Sequence, residues 1–173
     1  MAIREILTYP NRKLFQKSTD VESFDEQLGA LLDDMYETMR DKDGVGLAAI
    51  QIGIPKNILI INPVNEESGE QEIEDLIEAV NPVITVKSGE QVYQEGCLSV
   101  PGFYEDIKRF ESITVEYYTR DGEKKVEEYH NFLAVAWQHE IDHLLGHLFI
   151  EKLSILKRKK FEKELKEKNK KSS

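Results

Sequence analysis

The chain has 173 residues, of which 40% are hydrophobic, so it is long enough for one domain with a core of its own. Its 23 basic and 33 acidic residues give a formal net charge of −10, which argues against a DNA partner for the body of the protein. No apolar run approaches membrane-spanning length, and the N-terminus lacks the apolar stretch of a signal peptide. We therefore expect a cytoplasmic protein with no membrane partner.

The apolar spacing of residues 25–40 predicts a helix near the N-terminus. Strand-like runs follow, among them residues 57–62, 79–86, 113–119 and 124–129. Residues 120–123 predict a hairpin turn between the last two of these runs. The Glu- and Gly-rich residues 65–75 predict a solvated loop. A second helix is predicted over residues 132–148 and a charged helix at the C-terminus. This order predicts an α+β domain with antiparallel strands around a buried helix.

That buried helix carries the segment Gln138-His139-Glu140-Ile141-Asp142-His143. Residues i and i+4 of a helix share one face, so His139 and His143 can bind one ion, while Glu140 can reach a water on that ion as a general base. The pattern predicts a metal-binding helix and a metallohydrolase. The competing interpretation is a histidine pair packed in a helix without any metal.

A catalytic site of this kind needs a third protein ligand. His147 is a poor candidate, because one helix advances about 12 Å over eight residues. The metzincin pattern also fails, since Phe149 stands where its third histidine would be. Cys97, the one cysteine of the chain, offers a thiolate that would complete a three-ligand site, although a lone cysteine is also a common small core residue.

A third segment, residues 44–53, combines small residues with one uncharged amide donor, Gln51. Small residues let the backbone approach a ligand closely, and an amide donor can stabilise an oxyanion. The same residues also describe a loop that leads into an apolar strand. The segment lacks the Gly-Lys-Ser/Thr of a phosphate-binding loop.

Together the three segments resemble the peptide deformylases, whose motifs Gly-x-Gly-x-Ala-Ala-x-Gln, Glu-Gly-Cys-Leu-Ser and Gln-His-Glu-x-Asp-His all occur here intact and in order. The resemblance extends over nearly the whole chain, through Ile150. It implies removal of the formyl group from the N-terminal formylmethionine of new polypeptides, with release of formate. The implied partners are N-formylmethionyl nascent peptides.

The resemblance also implies a role for particular residues. Cys97, His139 and His143 would be the metal ligands, and Glu140 the acid and base. Gln51 and the backbone N–H of Leu98 would bind the formyl oxygen, Gly46 would contact the substrate backbone, and Glu95 would pair with Arg109. Tyr104 lies where some members have an arginine near the substrate. The methionine side chain would be held by a pocket of Val45, Tyr93, Leu98, Val135 and Ala136.

The family resemblance implies Fe²⁺ as the natural metal, with Ni²⁺, Co²⁺ or Zn²⁺ able to occupy the same ligands. The ligand residues alone would favour zinc. Two other functions stay open on the sequence: a metallopeptidase of the general His-Glu-x-x-His kind, and a binding module that keeps the motifs without turnover.

The sequence divides into a catalytic domain at residues 1–156 and a basic C-terminal helix or tail at residues 157–173. Residues 157–171 contain nine basic and three acidic residues, a net of +6 on a chain that is otherwise −16. One interpretation is a solvated helix with Glu/Lys pairs such as Glu162–Lys166. The other is a surface for ribosomal RNA, because a deformylase must meet nascent chains at the ribosome.

Overall fold

The computed structural model describes residues 2–171 and has an α+β fold, as the sequence predicts. Within those residues no helix is long and apolar enough to cross a membrane. The described elements are α1 (Glu26–Asp41), β1 (Gly46–Ala48), β2 (Ile58–Ile61), β3 (Ile77–Ser88), β4 (Gln91–Cys97), β5 (Val100–Arg109), β6 (Ser112–Tyr118), β7 (Lys124–His130), α2 (Asn131–Leu144) and α3 (Ile155–Lys171).

The strands form two antiparallel sheets. Five of them make one sheet in the order β1-β2-β3-β6-β7, and β4 and β5 form a separate two-stranded hairpin. The four predicted strands are confirmed as β2, β3, β6 and β7, with bounds that differ by at most two residues. The strands β1, β4 and β5 were not predicted. Short 3₁₀ turns lie at Arg12–Phe15, Ala49–Ile52, Ile73–Asp75 and Phe149–Lys152.

The β1–β2 end of the larger sheet is covered on both faces. All four residues of β2 are buried, and they alternate between two clusters: Leu59 and Ile61 pack with α2, whereas Ile58 and Ile60 pack with α1. Alternate residues of a strand point to opposite faces, so each helix covers one side. The polar motif residues of α2 are thereby held in the interior.

Helix α1 begins where its sequence provides a cap. The carboxylate of Asp25 accepts a hydrogen bond from the backbone N–H of Leu28 at 3.0 Å, which satisfies one of the free donors of the first turn. The helix runs to Asp41, close to the predicted bounds. Its buried face consists of Leu28, Leu32, Met35, Thr38 and Met39.

Helix α2 is shorter than predicted, because it ends at Leu144 rather than continuing to residue 148. Gly146 adopts a φ of +85°, and a Cβ there would lie 2.5 Å from the carbonyl oxygen of Phe15. Only glycine fits this left-handed conformation and close approach. The chain therefore turns, and Leu148 and Phe149 pack into a third cluster instead of extending the helix.

Helix α3 packs against the β4–β5 hairpin through an aromatic contact. The ring of Phe161 is 2% exposed and lies 4.5 Å from the ring of Phe103. Lys157 also pairs with Glu105 on β5 at 3.0 Å. Glu162, which the sequence predicted to pair with Lys166, forms an ion pair with Arg158 at 3.7 Å. Residues 172 and 173 of the basic segment lie outside the described residues.

Candidate active site

Helix α2 brings three motif side chains to one buried place. His139, Glu140 and His143 are each less than 9% exposed, and the Nε2 atoms of the two histidines lie 3.2 Å apart. The i, i+4 spacing on one helical turn produces this approach. The positions of the two rings therefore confirm the prediction that both imidazoles face one point.

Cys97 reaches the same point from the hairpin. It is the last residue of β4, and Leu98 and Ser99 form the tight turn into β5. Its Sγ atom lies 3.3 Å from Nε2 of His143, and the ligand atoms of Cys97, His139 and His143 all lie within 4.8 Å of one another. These residues form a cluster with the composition of a three-ligand metal site.

The spacing of these atoms fits a tetrahedral ion. Metal–nitrogen bonds of about 2.0–2.1 Å place two nitrogens roughly 3.3 Å apart, and a metal–sulfur bond of about 2.3 Å places sulfur and nitrogen roughly 3.6 Å apart. The corresponding distances here are 3.2 Å between the two histidines and 3.3 Å between Cys97 and His143. Burial and the neighbouring His139 lower the pKa of His143, so its imidazole is in the neutral form that binds metals. His147 takes no part, because it lies beyond the helix end, where it contacts Glu151 at 3.3 Å.

Behind the cluster, Glu95 and Arg109 form a buried pair, as the family resemblance implied. Arg109 donates through Nε and Nη2 to the two carboxylate oxygens of Glu95 at 2.7 and 2.8 Å. The Oε1 atom of Glu95 also lies 2.9 Å from Nδ1 of His139. Burial raises the pKa of Glu95, but the hydrogen bonds from Arg109 and His139 outweigh it and lower that pKa to about 2. Glu95 is thus a charged acceptor that orients His139.

The carboxylate of Glu140 lies against the backbone of Gly46. A Cβ at residue 46 would be 2.5 Å from Oε2 of Glu140, so the motif glycine makes room for this carboxylate. Burial raises the pKa of Glu140 to about 7. Its other oxygen, Oε1, has no hydrogen-bond partner among residues 2–171. A carboxyl group with such a pKa and a free oxygen suits proton transfer near neutrality.

Gln51 is fixed in the 3₁₀ turn that follows β1. Its Oε1 accepts from the backbone N–H of Ala48 at 2.9 Å, and its Nε2 donates to Oγ of Ser99 at 3.0 Å. The same Nε2 lies 3.7 Å from Sγ of Cys97. An amide nitrogen carries two hydrogens, so the donor that points to Cys97 could turn to a ligand bound beside it. Ser99 is a positioning partner that was not predicted.

The site opens on one cavity of about 970 Å³, which is lined by Gln51, Cys97, His139 and Glu140 among others. Every residue predicted for the site borders it except His143 and Arg109, which lie behind its wall. Phe132 also lines it and packs on Tyr93 with ring centroids 5.4 Å apart. Phe132 belongs to the apolar pattern of the predicted helix, but nothing in that pattern separated a pocket residue from a core residue. The predicted pocket residues that border this cavity are Val45, Tyr93, Leu98, Val135 and Ala136.

Two glycines shape the mouth of the cavity. A Cβ on Gly96 would lie 2.5 Å from the ring of Tyr104, so this ring rests directly on the backbone that precedes Cys97. A Cβ on Gly44 would lie 2.8 Å from Cδ1 of Leu98. Tyr104 is 65% exposed and borders the cavity on its outer side. The glycines of the first two motifs therefore allow close packing around the site.

The fold and the site define a metal-dependent hydrolase: two histidines and a cysteine converge beside a buried carboxylate and an amide donor, and all but one of them open on a cavity. The family model described as "Polypeptide deformylase" matches residues 3–159. The chain belongs to the polypeptide deformylase family.

Individual relatives agree with this assignment over nearly full length. The chain is 56% identical over 171 residues to a peptide deformylase of Helicobacter pylori (strain G27), covering 99% of this chain and 98% of that protein. It is 54% identical to one of Campylobacter jejuni, with coverage of 97% and 96%. A crystal structure of a peptide deformylase from Legionella pneumophila is similar with a TM-score of 0.90 at 40% identity, covering 99% of this chain and 98% of that chain.

Proposed function

We propose that this protein removes the formyl group from the N-terminal formylmethionine of newly made polypeptides and releases formate. Deformylation is the activity of the family to which the chain belongs. The observation that carries the proposal for these residues is the convergence of Cys97, His139 and His143 within 4.8 Å of one another. Glu140 lies beside them, and its Oε1 has no hydrogen-bond partner among residues 2–171.

The reaction adds water across the formyl C–N bond. An ion held by Cys97, His139 and His143 supplies a Lewis acid that makes a water molecule more acidic. Glu140 takes a proton from that water as the oxygen attacks the formyl carbon, and then gives the proton to the departing amine. The products are formate and a free N-terminal amine. A Glu140 pKa of about 7 suits a group that must accept and return a proton near neutrality.

The attack places negative charge on the formyl oxygen, and the chain offers two donors for it. Gln51 donates one amide hydrogen to Ser99, and the other points to Sγ of Cys97 at 3.7 Å, a weak contact that a formyl oxygen would replace. The backbone N–H of Leu98, in the turn after Cys97, would be the second donor. One such donor is typically worth about 2.7–4 kcal/mol of transition-state stabilisation. Rigid placement of Gln51 by Ala48 and Ser99 supports this role.

The substrate backbone would lie beside β1, which is the first strand of its sheet and has one free edge among the described residues. An extended peptide can add to such an edge through main-chain hydrogen bonds. In this pose the methionine side chain enters the pocket of Tyr93, Phe132, Val135 and Ala136, with Val45 and Leu98 beside it. Gly46 lies nearest the reacting bond, because it contacts Glu140. Tyr104 would contact the residues that follow methionine.

For the metal we propose Fe²⁺, with Ni²⁺, Co²⁺ or Zn²⁺ as possible substitutes. The thiolate of Cys97 is a soft ligand that suits redox-active metals, and family resemblance favours iron. Cys97→Asp should shift the metal that supports activity toward harder ions. His147→Ala, at a histidine outside the cluster, is the matched control and should retain the metal preference. Metal analysis of anaerobically purified protein, before and after exposure to air, would identify the ion.

The decisive experiment compares formyl-Met-Ala with acetyl-Met-Ala and with an internal Met-Ala bond in a blocked peptide. The proposed function requires release of formate from the first peptide only. Cleavage of the internal bond would instead identify a metallopeptidase. Full metal content without turnover of any of the three peptides would identify a binding module.

We further propose that the basic segment, residues 157–173, docks on ribosomal RNA while residues 1–156 form the catalytic domain. In this scheme the protein acts in the cytoplasm on nascent chains. Support comes from the charge of the segment and from an exposed stripe on α3 formed by Lys159, Lys163 and Lys166, at i, i+4 and i+7. The segment is not independent of the domain, since Phe161 is buried against Phe103. Substitution is therefore a cleaner test than truncation.

The test replaces Lys159, Lys163 and Lys166 by Gln and measures co-sedimentation with ribosomes at several salt concentrations. The matched control replaces three exposed lysines elsewhere, Lys13, Lys17 and Lys87, which removes the same charge. We expect only the α3 variant to lose binding, and the salt dependence of its residual binding to be shallower. Equal binding by both variants would contradict docking through α3.

A further inference from the structure

The motif residue Asp142 has no role in the reaction derived above, yet its side chain is firmly held. Its Oδ2 atom accepts a hydrogen bond from Nη1 of Arg109 at 2.6 Å. Lys152, in the 3₁₀ turn after α2, lies 3.8 Å from the same oxygen. The Arg109 side chain is 3% exposed and that of Asp142 is 20% exposed, so Asp142 is the outer end of this contact.

From Asp142 an unbroken chain of hydrogen bonds leads inward to the metal cluster. Arg109 uses its remaining donors, Nε and Nη2, on the two oxygens of Glu95. The Oε1 atom that receives Nη2 also lies 2.9 Å from Nδ1 of His139. Four side chains therefore connect the rear surface of α2 with a ligand atom, since the opposite ring nitrogen of His139 faces His143.

Geometry explains why the outer end matters. A guanidinium presents its donors in a rigid plane, so fixing Nη1 also fixes the direction of Nε and Nη2. Without Asp142, the buried Nη1 loses its charged acceptor, and an unsatisfied buried donor costs free energy. The guanidinium would recover hydrogen bonds by turning toward water. Glu95 follows its bidentate partner and leaves the Nδ1 atom of His139. The imidazole then loses the contact that sets its tautomer and ring orientation.

We propose that Asp142 is a positioning residue for the metal centre, which acts through Arg109 and Glu95 to hold His139 in the orientation that binds the ion. This inference rests on the proposed metal site and deepens it. The alternative is that Asp142 serves only to join α2 to the following turn through Lys152. Both interactions use the same carboxylate of Asp142, but the partners are different residues. Mutation of Lys152 therefore removes one interaction and leaves the other.

The experiment follows metal loss rather than turnover. Wild-type protein and the variants Asp142→Ala, Asp142→Asn and Lys152→Ala are loaded with Zn²⁺ and challenged with excess chelator. We expect Asp142→Ala to lose metal about 10- to 100-fold faster. Asp142→Asn should lie between, because an amide oxygen still accepts from Arg109. Lys152→Ala should match the wild type.

The NMR signal of the His139 Nδ1–H in the Zn²⁺ form provides an independent measurement. It should shift or broaden through solvent exchange in Asp142→Ala and stay unchanged in Lys152→Ala. Wild-type metal loss in both Asp142 variants, or equal acceleration in Lys152→Ala, would overturn the proposal. Asp142→Asn keeps the test available should the alanine variant fold poorly. Because neither readout needs turnover, absence of deformylase activity would count against the proposed function and not against this inference.

Discussion

Two charged regions of this protein are organised in opposite ways. In the buried centre, formed by α2 and the β4–β5 hairpin, a charged network is fixed by direct pairing: Arg109 lies within 2.8 Å of oxygens on both Glu95 and Asp142. On α3 the charges are exposed, and Lys159, Lys163 and Lys166 form one face of the helix. Single atoms matter in the first region, because burial makes an unpaired charge costly. Total charge matters in the second, where water screens each group.

The largest fall in kcat is expected from a change of one functional group in the buried centre. Glu140→Gln should keep the metal, because Glu140 is outside the ligand cluster, yet lower kcat by about 10²–10⁴-fold, because an amide cannot take a proton. Formate release and metal content measured on the same sample check this. A variant with near-native kcat would contradict the role of Glu140 as general base.

A single added methyl group should also be severe in the centre. Gly46→Ala would place a Cβ 2.5 Å from Oε2 of Glu140 and displace this carboxylate. A displacement of about 1 Å typically costs on the order of 100-fold in rate. Gly29→Ala is the matched control, since its Cβ would meet only Arg120 at an ordinary 3.5 Å. Similar kcat values for the two variants would show that Glu140 tolerates movement.

Helix α3 should be sensitive at its one buried aromatic anchor. Phe161→Ala removes a ring packed on Phe103 and Tyr9, and should lower the free energy of unfolding by about 3–5 kcal/mol. Ile155→Ala, at a residue that is 77% exposed on the same helix, is the control and should change it by less than about 0.5 kcal/mol. Urea denaturation measures both. Equal stabilities would mean that α3 is not anchored in solution.

The smallest effect is expected on the exposed face of α3. Replacement of Lys159, Lys163 and Lys166 by Gln should leave kcat/KM for formyl-Met-Ala within about twofold, since isolated surface changes are weak. A large fall in kcat/KM would show that the charge of α3 reaches the active site. The division between a centre governed by single atoms and a helix governed by total charge would then be wrong.

The sequence predicted the centre better than its surroundings, for a physical reason. Two histidines four residues apart on a helix must share a face, so the approach of His139 and His143 follows from local periodicity alone. The arrival of Cys97 does not, because it depends on how the hairpin docks. That hairpin was not predicted as strands, since β4 has one buried residue and lacks the alternation of a half-buried strand.

Other differences have similar causes. The apolar residues Leu145 and Leu148 continue the helical pattern of α2, but the backbone of Phe15 forces a turn at Gly146. On α3 the abundant charge concealed the role of Phe161. The contact between Arg109 and Asp142 joins residues 33 positions apart. Local periodicity carries no signal for contacts of this kind, which arise only when separate elements pack.

The ligands of the metal cluster belong to two separately packed parts of the molecule. Cys97 packs with the cluster that contains Phe161, whereas α2 packs with the larger sheet through Trp137. An ion bound by both parts would act as a cross-link across the 41 residues between Cys97 and His139. The chain has a single cysteine, so the ion would do for it what a disulfide does in secreted proteins. Loss of the ion would then loosen the architecture along with the chemistry, and thermal unfolding would depend on free metal concentration.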